Sequence, residues 1–265
     1  MGAMSREQYE SNPTEFLKGI NDLPGKTKGS GKWALLSRRE RNLKTSFFGG
    51  GPHRKQQGLL HLQWRAALLA LMFVVLCGLV AVGATQPVDR WAQVRAHDLA
   101  SYPLDVTTSL VTVLGGAEIT GVITLLWSFI WWQRQGTRGL VPLLLFVGVG
   151  IEMVLKYYLP HPGPPSEWAR GFHYLAFLHF PAPFSFPSGH ALRVAFLVAL
   201  TNAYVRSPFW RALGWGVVVA VALTRLYLNV HSTSDVVGGI LLGLALAAVA
   251  AIIVAYTAQK PMIER

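Results

Sequence analysis

Charge and sulfur are both scarce in this 265-residue chain: 14% of residues are charged and only one is a cysteine. A soluble domain carries roughly 25% charged residues, so the composition leans away from a water-exposed fold. The lone Cys77 lies deep in an apolar run. It cannot form an intrachain disulfide and has no second thiol for a metal site, so it reads as a small buried hydrophobe. No module that reads RNA or DNA is present, and the net charge of +11 therefore does not indicate nucleic acid. No apolar run begins before residue 64. A cleaved signal peptide is not expected, and the first run is expected to insert as an uncleaved span.

What the chain has instead is hydrophobic length: 52% of residues are apolar or aromatic. A membrane span needs about 20 predominantly apolar residues. Five segments approach that length, near residues 66–84, 140–159, 190–204, 212–226 and 236–256. A sixth lies within residues 106–132, long enough for one span preceded by a partly buried helix, with Gly115 and Gly116 marking the break. Trp127, Trp131 and Trp132 fall where an interfacial aromatic belt is expected. The expected fold class is all-α: a six-span transmembrane helical bundle with a flexible basic N-terminal tail. Residues 1–60 form that tail, with a short interfacial helix around Trp33–Leu36; residues 61–257 form the bundle and 258–265 a C-terminal tail.

Loop charge sets the orientation. Residues 1–65 hold 12 of the 24 Lys and Arg residues. Arg134, Arg138, Arg206, Arg211, Lys260 and Arg265 fall on the same side in a six-span layout, whereas Arg90, Arg95 and Arg170 face the other. By the positive-inside rule both termini are cytoplasmic, as expected of a multi-pass plasma-membrane protein. Lys156, Arg193 and Arg225 remain, at span ends on the extracytoplasmic side. Ionisable groups placed there are costly and mark function, and their sign suits an anion.

Three segments meet on that face. One runs from Lys156 through His161-Pro162-Gly163-Pro164. The second is Pro187-Ser188-Gly189-His190. The third is Thr224-Arg225, five residues, His231, three residues and Asp235. Together they resemble the three signature motifs of the type 2 phosphatidic acid phosphatase family, the lipid phosphate phosphatases: Lys, six residues, Arg-Pro; Pro-Ser-Gly-His; and Ser-Arg, five residues, His, three residues, Asp. The resemblance covers about residues 60–257. It implies that His231 attacks phosphorus, that His190 is the acid, that Lys156, Ser188, Gly189 and Arg225 bind phosphate, and that no metal or other cofactor takes part. It further implies a membrane phospholipid or polyprenyl phosphate as substrate. Undecaprenyl diphosphate is favoured over phosphatidylglycerophosphate and phosphatidate, with phosphoryl transfer to another lipid alcohol as a separate alternative.

The residues support these roles on their own chemistry. Histidine attacks phosphorus when one ring nitrogen is free and the other is held, and Asp235, one helical turn away, can hold it. His190 can protonate a departing oxygen and then deprotonate water. Lys156 offers a point charge and Arg225 a planar fork of donors. Ser188 and Gly189 precede an apolar span, where free backbone amides favour an anion.

The first motif departs from the pattern, because Gly163 stands at its arginine position. His161, Arg170 and Arg193 are the candidates to compensate. Arg193 is the most attractive, one turn after His190, with a structural ion pair as the competing reading. His161 reads as a loop residue, and His161, His173 and His179 as a solvated loop rather than a metal cluster. Glu152 is expected to pair with Lys156, and Glu118 to serve in structural pairing. Trp168, Phe172, Tyr174, Phe177 and Phe180 make the adjoining loop apolar. Gly239, Gly243 and Ala247 form a small-residue stripe suited to span packing.

Overall fold

The structure is a computed structural model, and it describes residues 52–172 and 182–259. The polar segment up to residue 51, the last six residues, and His173, Tyr174, Phe177, His179 and Phe180 therefore lie outside the described residues. Eight α-helices follow in order: α1 (Pro52–Ala81), α2 (Gln86–Asp98), α3 (Tyr102–Thr112), α4 (Ala117–Gln135), α5 (Leu144–Tyr158), α6 (Gly189–Asn202), α7 (Pro208–Tyr227) and α8 (Thr233–Gln259). Short 3-10 turns occupy Val113–Gly115, Gly136–Leu143 and Ser166–Trp168. Among the described residues there is no strand.

Four stretches are long and apolar enough to cross a membrane: Gln56–Ala81, Tyr102–Tyr158, Pro208–Tyr227 and Thr233–Ala258. The second is 57 residues long and comprises α3, α4 and α5 with the turns between them. The apolar surface faces outward: Leu71 and Val74 of α1 are 60% and 63% exposed. Side chains of this kind arrayed along a helix suit hydrocarbon as the solvent.

The break expected at Gly115–Gly116 is present, and packing gives its reason. A Cβ on Gly115 would sit 3.0 Å from both the His190 Cβ and a Val221 methyl. Only glycine allows the α3–α4 corner to approach α6 this closely. Before α5, Gly139 lies against the backbone of Trp131 and Trp132 and Pro142 removes a donor, so residues 136–143 fold back as a 3-10 turn. Helix α2 is not apolar enough to register as a span and escapes a search for spans, although Pro87 in its first turn and Asp89 just after it are ordinary helix-start signals.

Helix α6 is the axis of the packing. At 14 residues it is about 21 Å long, short of a hydrocarbon core of roughly 30 Å. Ala191 through Leu197 are all buried. Leu192, Phe196, Leu197 and Leu200 join Leu145, Phe186, Leu242, Leu246 and Ala250 in the main apolar cluster. Helix α8 crosses α6 through the small-residue stripe. A Cβ on Gly239 would collide with the Ser188 carbonyl, and one on Gly243 would sit 2.5 Å from the Leu192 carbonyl. The stripe is thus a packing surface within the chain. Because the Gly239 clash is with backbone, Gly239→Ala is expected to cost about 1–3 kcal/mol and to displace the start of α6. Thermal unfolding in detergent together with phosphate release checks this, and both should fall.

Candidate active site

Helix ends assemble the site. The start of α6, the start of α8 and the last turns of α5 and α7 converge, and hydrogen bonds between the loops hold them in register. The Ser188 amide donates to the Asp235 carbonyl at 2.9 Å, tying the second motif to the third. The amides of Phe184 and Ser185 donate to the carbonyls of Lys156 and His161 at 3.1 and 3.2 Å, tying the first motif to the segment leading into the second. The Phe186–Pro187 peptide is cis. Asn229 turns the chain out of α7 with a left-handed φ of 52°, a conformation asparagine tolerates, and its side-chain amide donates to the Gln93 carbonyl at 3.1 Å.

His231 lies in the short connection between α7 and α8. Its Nδ1 is 3.2 Å from Asp235 Oδ2, and the same oxygen accepts the Ser232 amide at 2.8 Å. A carboxylate in the first turn of a helix that reaches back to the amide just before it is a capping-box arrangement. Asp235 therefore starts α8 and orients His231 at once. With Nδ1–H held by the carboxylate, Nε2 is the unprotonated nitrogen. Burial pulls the His231 pKa below the usual histidine value, with Arg225 and Lys156 adding to the effect and Asp235 opposing it. The ring is accordingly neutral at neutral pH.

Cations surround the two rings. Arg225, Arg193, His231 and Lys156 all act electrostatically on His190. Arg225 Nη1 donates to Thr112 Oγ1 at 3.0 Å, while its Nε is buried without a hydrogen-bond partner, as is the Ser188 hydroxyl. Ser188 precedes α6 but makes no side-chain cap, so its hydroxyl is not committed to the helix. Buried polar atoms rarely go unpaired, so both groups are candidates to meet an oxyanion.

Glu152 organises the cations. Its Oε1 is 2.9 Å from Lys156 Nζ and its Oε2 is 3.4 Å from Arg193 Nη1, and the carboxylate is buried. The pairing expected with Lys156 is present, and Arg193 is a second partner that spacing does not reveal. Gly189 is what allows this, since a Cβ there would collide with the Glu152 carboxylate. Arg193 also donates from Nε to the Gly115 carbonyl at 3.1 Å, and its Nη2 is 3.4 Å from His190 Nδ1. Every nitrogen of its guanidinium has a protein partner, so the ion-pair reading of Arg193 is the one realised. Glu118 acts electrostatically on the same guanidinium.

Two expectations are corrected. Lys156, Ser188, His190 and Arg225 are not among the hydrogen-bond partners of Arg170. Its Nε donates to Asp105 at 3.1 Å, its Nη2 to the carbonyls of Ala96 and Tyr227, and it lies over the Tyr227 ring. It pins α2, α3 and α7 together. His161 is not an open loop residue either. It is 2% exposed, with Nε2 3.1 Å from Ser234 Oγ and 3.4 Å from Asp235 Oδ1. Where an arginine would stand in the first motif, a Cβ on Gly163 already lies 3.0 Å from the Ser185 Cβ. Asp89 was missed altogether. Buried at 3% exposure, it accepts hydrogen bonds from both the amide and the hydroxyl of Ser234 at 2.8 Å. Its only sequence signal is an acid in the first turn of an otherwise unremarked helix.

The sequence profile of the PAP2 superfamily matches residues 137–259, which span every site residue from Glu152 to Asp235. Over those residues the chain resembles the PAP2 superfamily. It is a phosphatase and a membrane protein. Among PAP2 relatives, it is 27% identical over 196 residues to phosphatidylglycerophosphatase B of Bacillus subtilis (strain 168), covering 69% of this chain and 91% of that one. It is 31% identical over 131 residues to YbjG of Escherichia coli (strain K12), provisionally named an undecaprenyl-diphosphatase, covering 48% of this chain and 64% of the other. The fold matches the crystal structure of a transmembrane PAP2-type phosphatidylglycerolphosphate phosphatase from Bacillus subtilis, with a TM-score of 0.60 and 22% identity over 76% of this chain and all of that one.

In this site Glu152 is the counter-charge for two cations, and breaking such a buried set leaves charge uncompensated. Glu152→Gln is expected to cost about 3 kcal/mol and to weaken phosphate binding. Thermal unfolding in detergent with and without inorganic phosphate measures both.

Proposed function

We propose that this protein hydrolyses a terminal phosphate or pyrophosphate monoester of a membrane lipid through a phosphohistidine on His231. The observation that carries this reading is the pair of unpartnered buried donors, Arg225 Nε and Ser188 Oγ, beside a histidine held neutral with Nε2 free. The Nε2 lone pair attacks phosphorus as the bond to the lipid oxygen breaks. That oxygen takes the electron pair and a proton from His190. Water then attacks the phosphorus and gives its proton to His190, and the P–N bond breaks with its pair returning to His231. Asp235 stabilises the cation that forms on His231, and Lys156, Ser188, Gly189 and Arg225 bind the phosphoryl oxygens. For His190 to be an acid its Nδ1 must take up a proton. Burial and the charges of Arg225, Arg193 and Lys156 oppose that proton, and the negative charge of a bound phosphate is what compensates it. No metal enters these steps.

The membrane layout that accompanies this reading has six spans, α1 and α4 through α8, with α3 partly buried beside them. Both termini are then cytoplasmic and the site opens on the extracytoplasmic face, in line with the loop charges. The lipid is one of two classes. Polyprenyl diphosphate is the reading favoured by the sequence, and YbjG bears a matching name. Phosphatidylglycerophosphate is supported by the similarity to phosphatidylglycerophosphatase B, which extends over 91% of that protein. Phosphate release from purified samples of both lipids ranks them.

Two outcomes test the chemistry. His231→Ala is expected to lose turnover by about a thousandfold or more while remaining folded, and EDTA should leave the wild type unaffected. The acidic limb of kcat/KM should fall below the ordinary histidine value of about 6.5. A lowered pKa keeps His231 in its attacking form to more acidic pH, and activity is lost only as pH falls through that lowered value. A limb at or above the ordinary value would contradict the assignment.

A further inference from the structure

Asp235 has two oxygens, and the histidine reading accounts for only one. Oδ2 receives His231 Nδ1 and the Ser232 amide, whereas Oδ1 is buried and lacks a hydrogen bond of good geometry. The group that faces Oδ1 is the His161 ring, with Nε2 at 3.4 Å. The same Nε2 is 3.1 Å from Ser234 Oγ and 3.8 Å from Asp89 Oδ2. Two histidines from different loops thus stand against one carboxylate, and both rings are buried.

The proton on His161 can be placed by elimination. Ser234 Oγ has a single hydrogen, and the nearest anionic acceptor is Asp89 Oδ2 at 2.8 Å. With that hydrogen donated to Asp89, the hydroxyl is an acceptor toward His161. A lone pair on Nε2 would then face the Ser234 oxygen and the Asp235 carboxylate together, which is repulsive. Nε2 therefore carries the hydrogen, directed at Ser234 Oγ at 3.1 Å with Asp235 Oδ1 3.4 Å away.

We infer that His161 is a positioning residue for the phosphatase reaction, presenting Nε2–H to Asp235 Oδ1 and thereby setting how tightly the carboxylate holds the His231 ring. Asp89 acts one step further out by fixing the Ser234 hydroxyl as an acceptor. The inference rests on His231 as the nucleophile. A donor on Oδ1 draws negative charge from Asp235 and weakens its hold on an imidazolium, which keeps His231 in its attacking form. The other groups bearing on the pair are Arg225 from α7, Lys156 from α5 and His190 from α6, with Glu152 and Arg193 behind them. Among the described residues none of these makes a hydrogen bond or ion pair with Asp235 Oδ1, so His161 is the group whose removal should be felt there.

The test is the pH dependence of kcat/KM in detergent for wild type, His161→Phe and His161→Gln. Phenylalanine keeps the ring and its edge contact with Phe186 but has no donor; glutamine restores one. His161→Phe is expected to move the acidic limb to higher pH by about one unit, the worth of a hydrogen bond to a charged group. His161→Gln should return it most of the way. A merely structural role would lower melting temperature and overall rate in both variants without moving the limb. An unmoved limb in His161→Phe overturns the inference, as does a shift that glutamine fails to reverse. Nitrogen-15 histidine spectra of the wild type give a second reading that needs no phenylalanine variant, with the His161 signal assigned by its loss in His161→Gln. The Nε2–H tautomer is required, and finding the Nδ1–H form overturns the inference. Trapping labelled phosphoenzyme separates the two layers. Its absence in wild type removes the nucleophile and this inference with it, whereas phosphohistidine with an unmoved limb removes only His161.

Discussion

Asp235 is completely buried, and an isolated carboxylate in that position would be untenable without compensation. The surrounding structure supplies it from three directions: Ser232 donates its amide from the start of α8, His231 its Nδ1–H from the loop after α7, and His161 faces the second oxygen. The backbone carbonyl of Asp235 separately receives the amide of Ser188. Capping, nucleophile orientation and the junction of two motifs therefore depend on one side chain and its own peptide. Changing any of them disturbs the others, so the site is a single cooperative network rather than a set of separable residues.

Charge compensation follows the same rule around His190. Lys156 and Arg193 would repel one another next to His190, and Glu152 stands between them. Gly189 has no side chain because the Glu152 carboxylate occupies its place. The second motif's glycine thus serves two ends: an open amide at the start of α6, and room for a carboxylate from α5. Gly115 does the same for the corner between α3 and α4 against His190. In a bundle with little water to screen charge, close backbone approach is how oppositely charged side chains from different helices are made to meet.

Much of this was legible in the chain itself. Apolar runs of span length located the helices from α4 onward to within a few residues, and the Gly115–Gly116 break was read correctly, because both signals are local. The His231–Asp235 pair was legible for the same reason: four residues apart is one helical turn, whatever the rest of the fold does. The Glu152–Lys156 pair is another instance. Less legible were contacts made between elements. Arg170 looked like a free cation near the site but is held by Asp105 and carbonyls of α2 and α7, partners at separations of 65, 74 and 57 residues.

The sequence by itself determined the membrane character, the helical class and the His231–Asp235 pairing, since composition, hydrophobic length and one-turn spacing survive any arrangement of the helices. Tertiary structure alone decided what surrounds that pair. Asp89 meets Ser234 across 145 residues, and His161 reaches it across 73. No periodicity links such positions, because nothing but the folded packing of α2, α8 and the loop after α5 brings them together. The residues that hold the nucleophile's carboxylate are visible only once the bundle has closed around it.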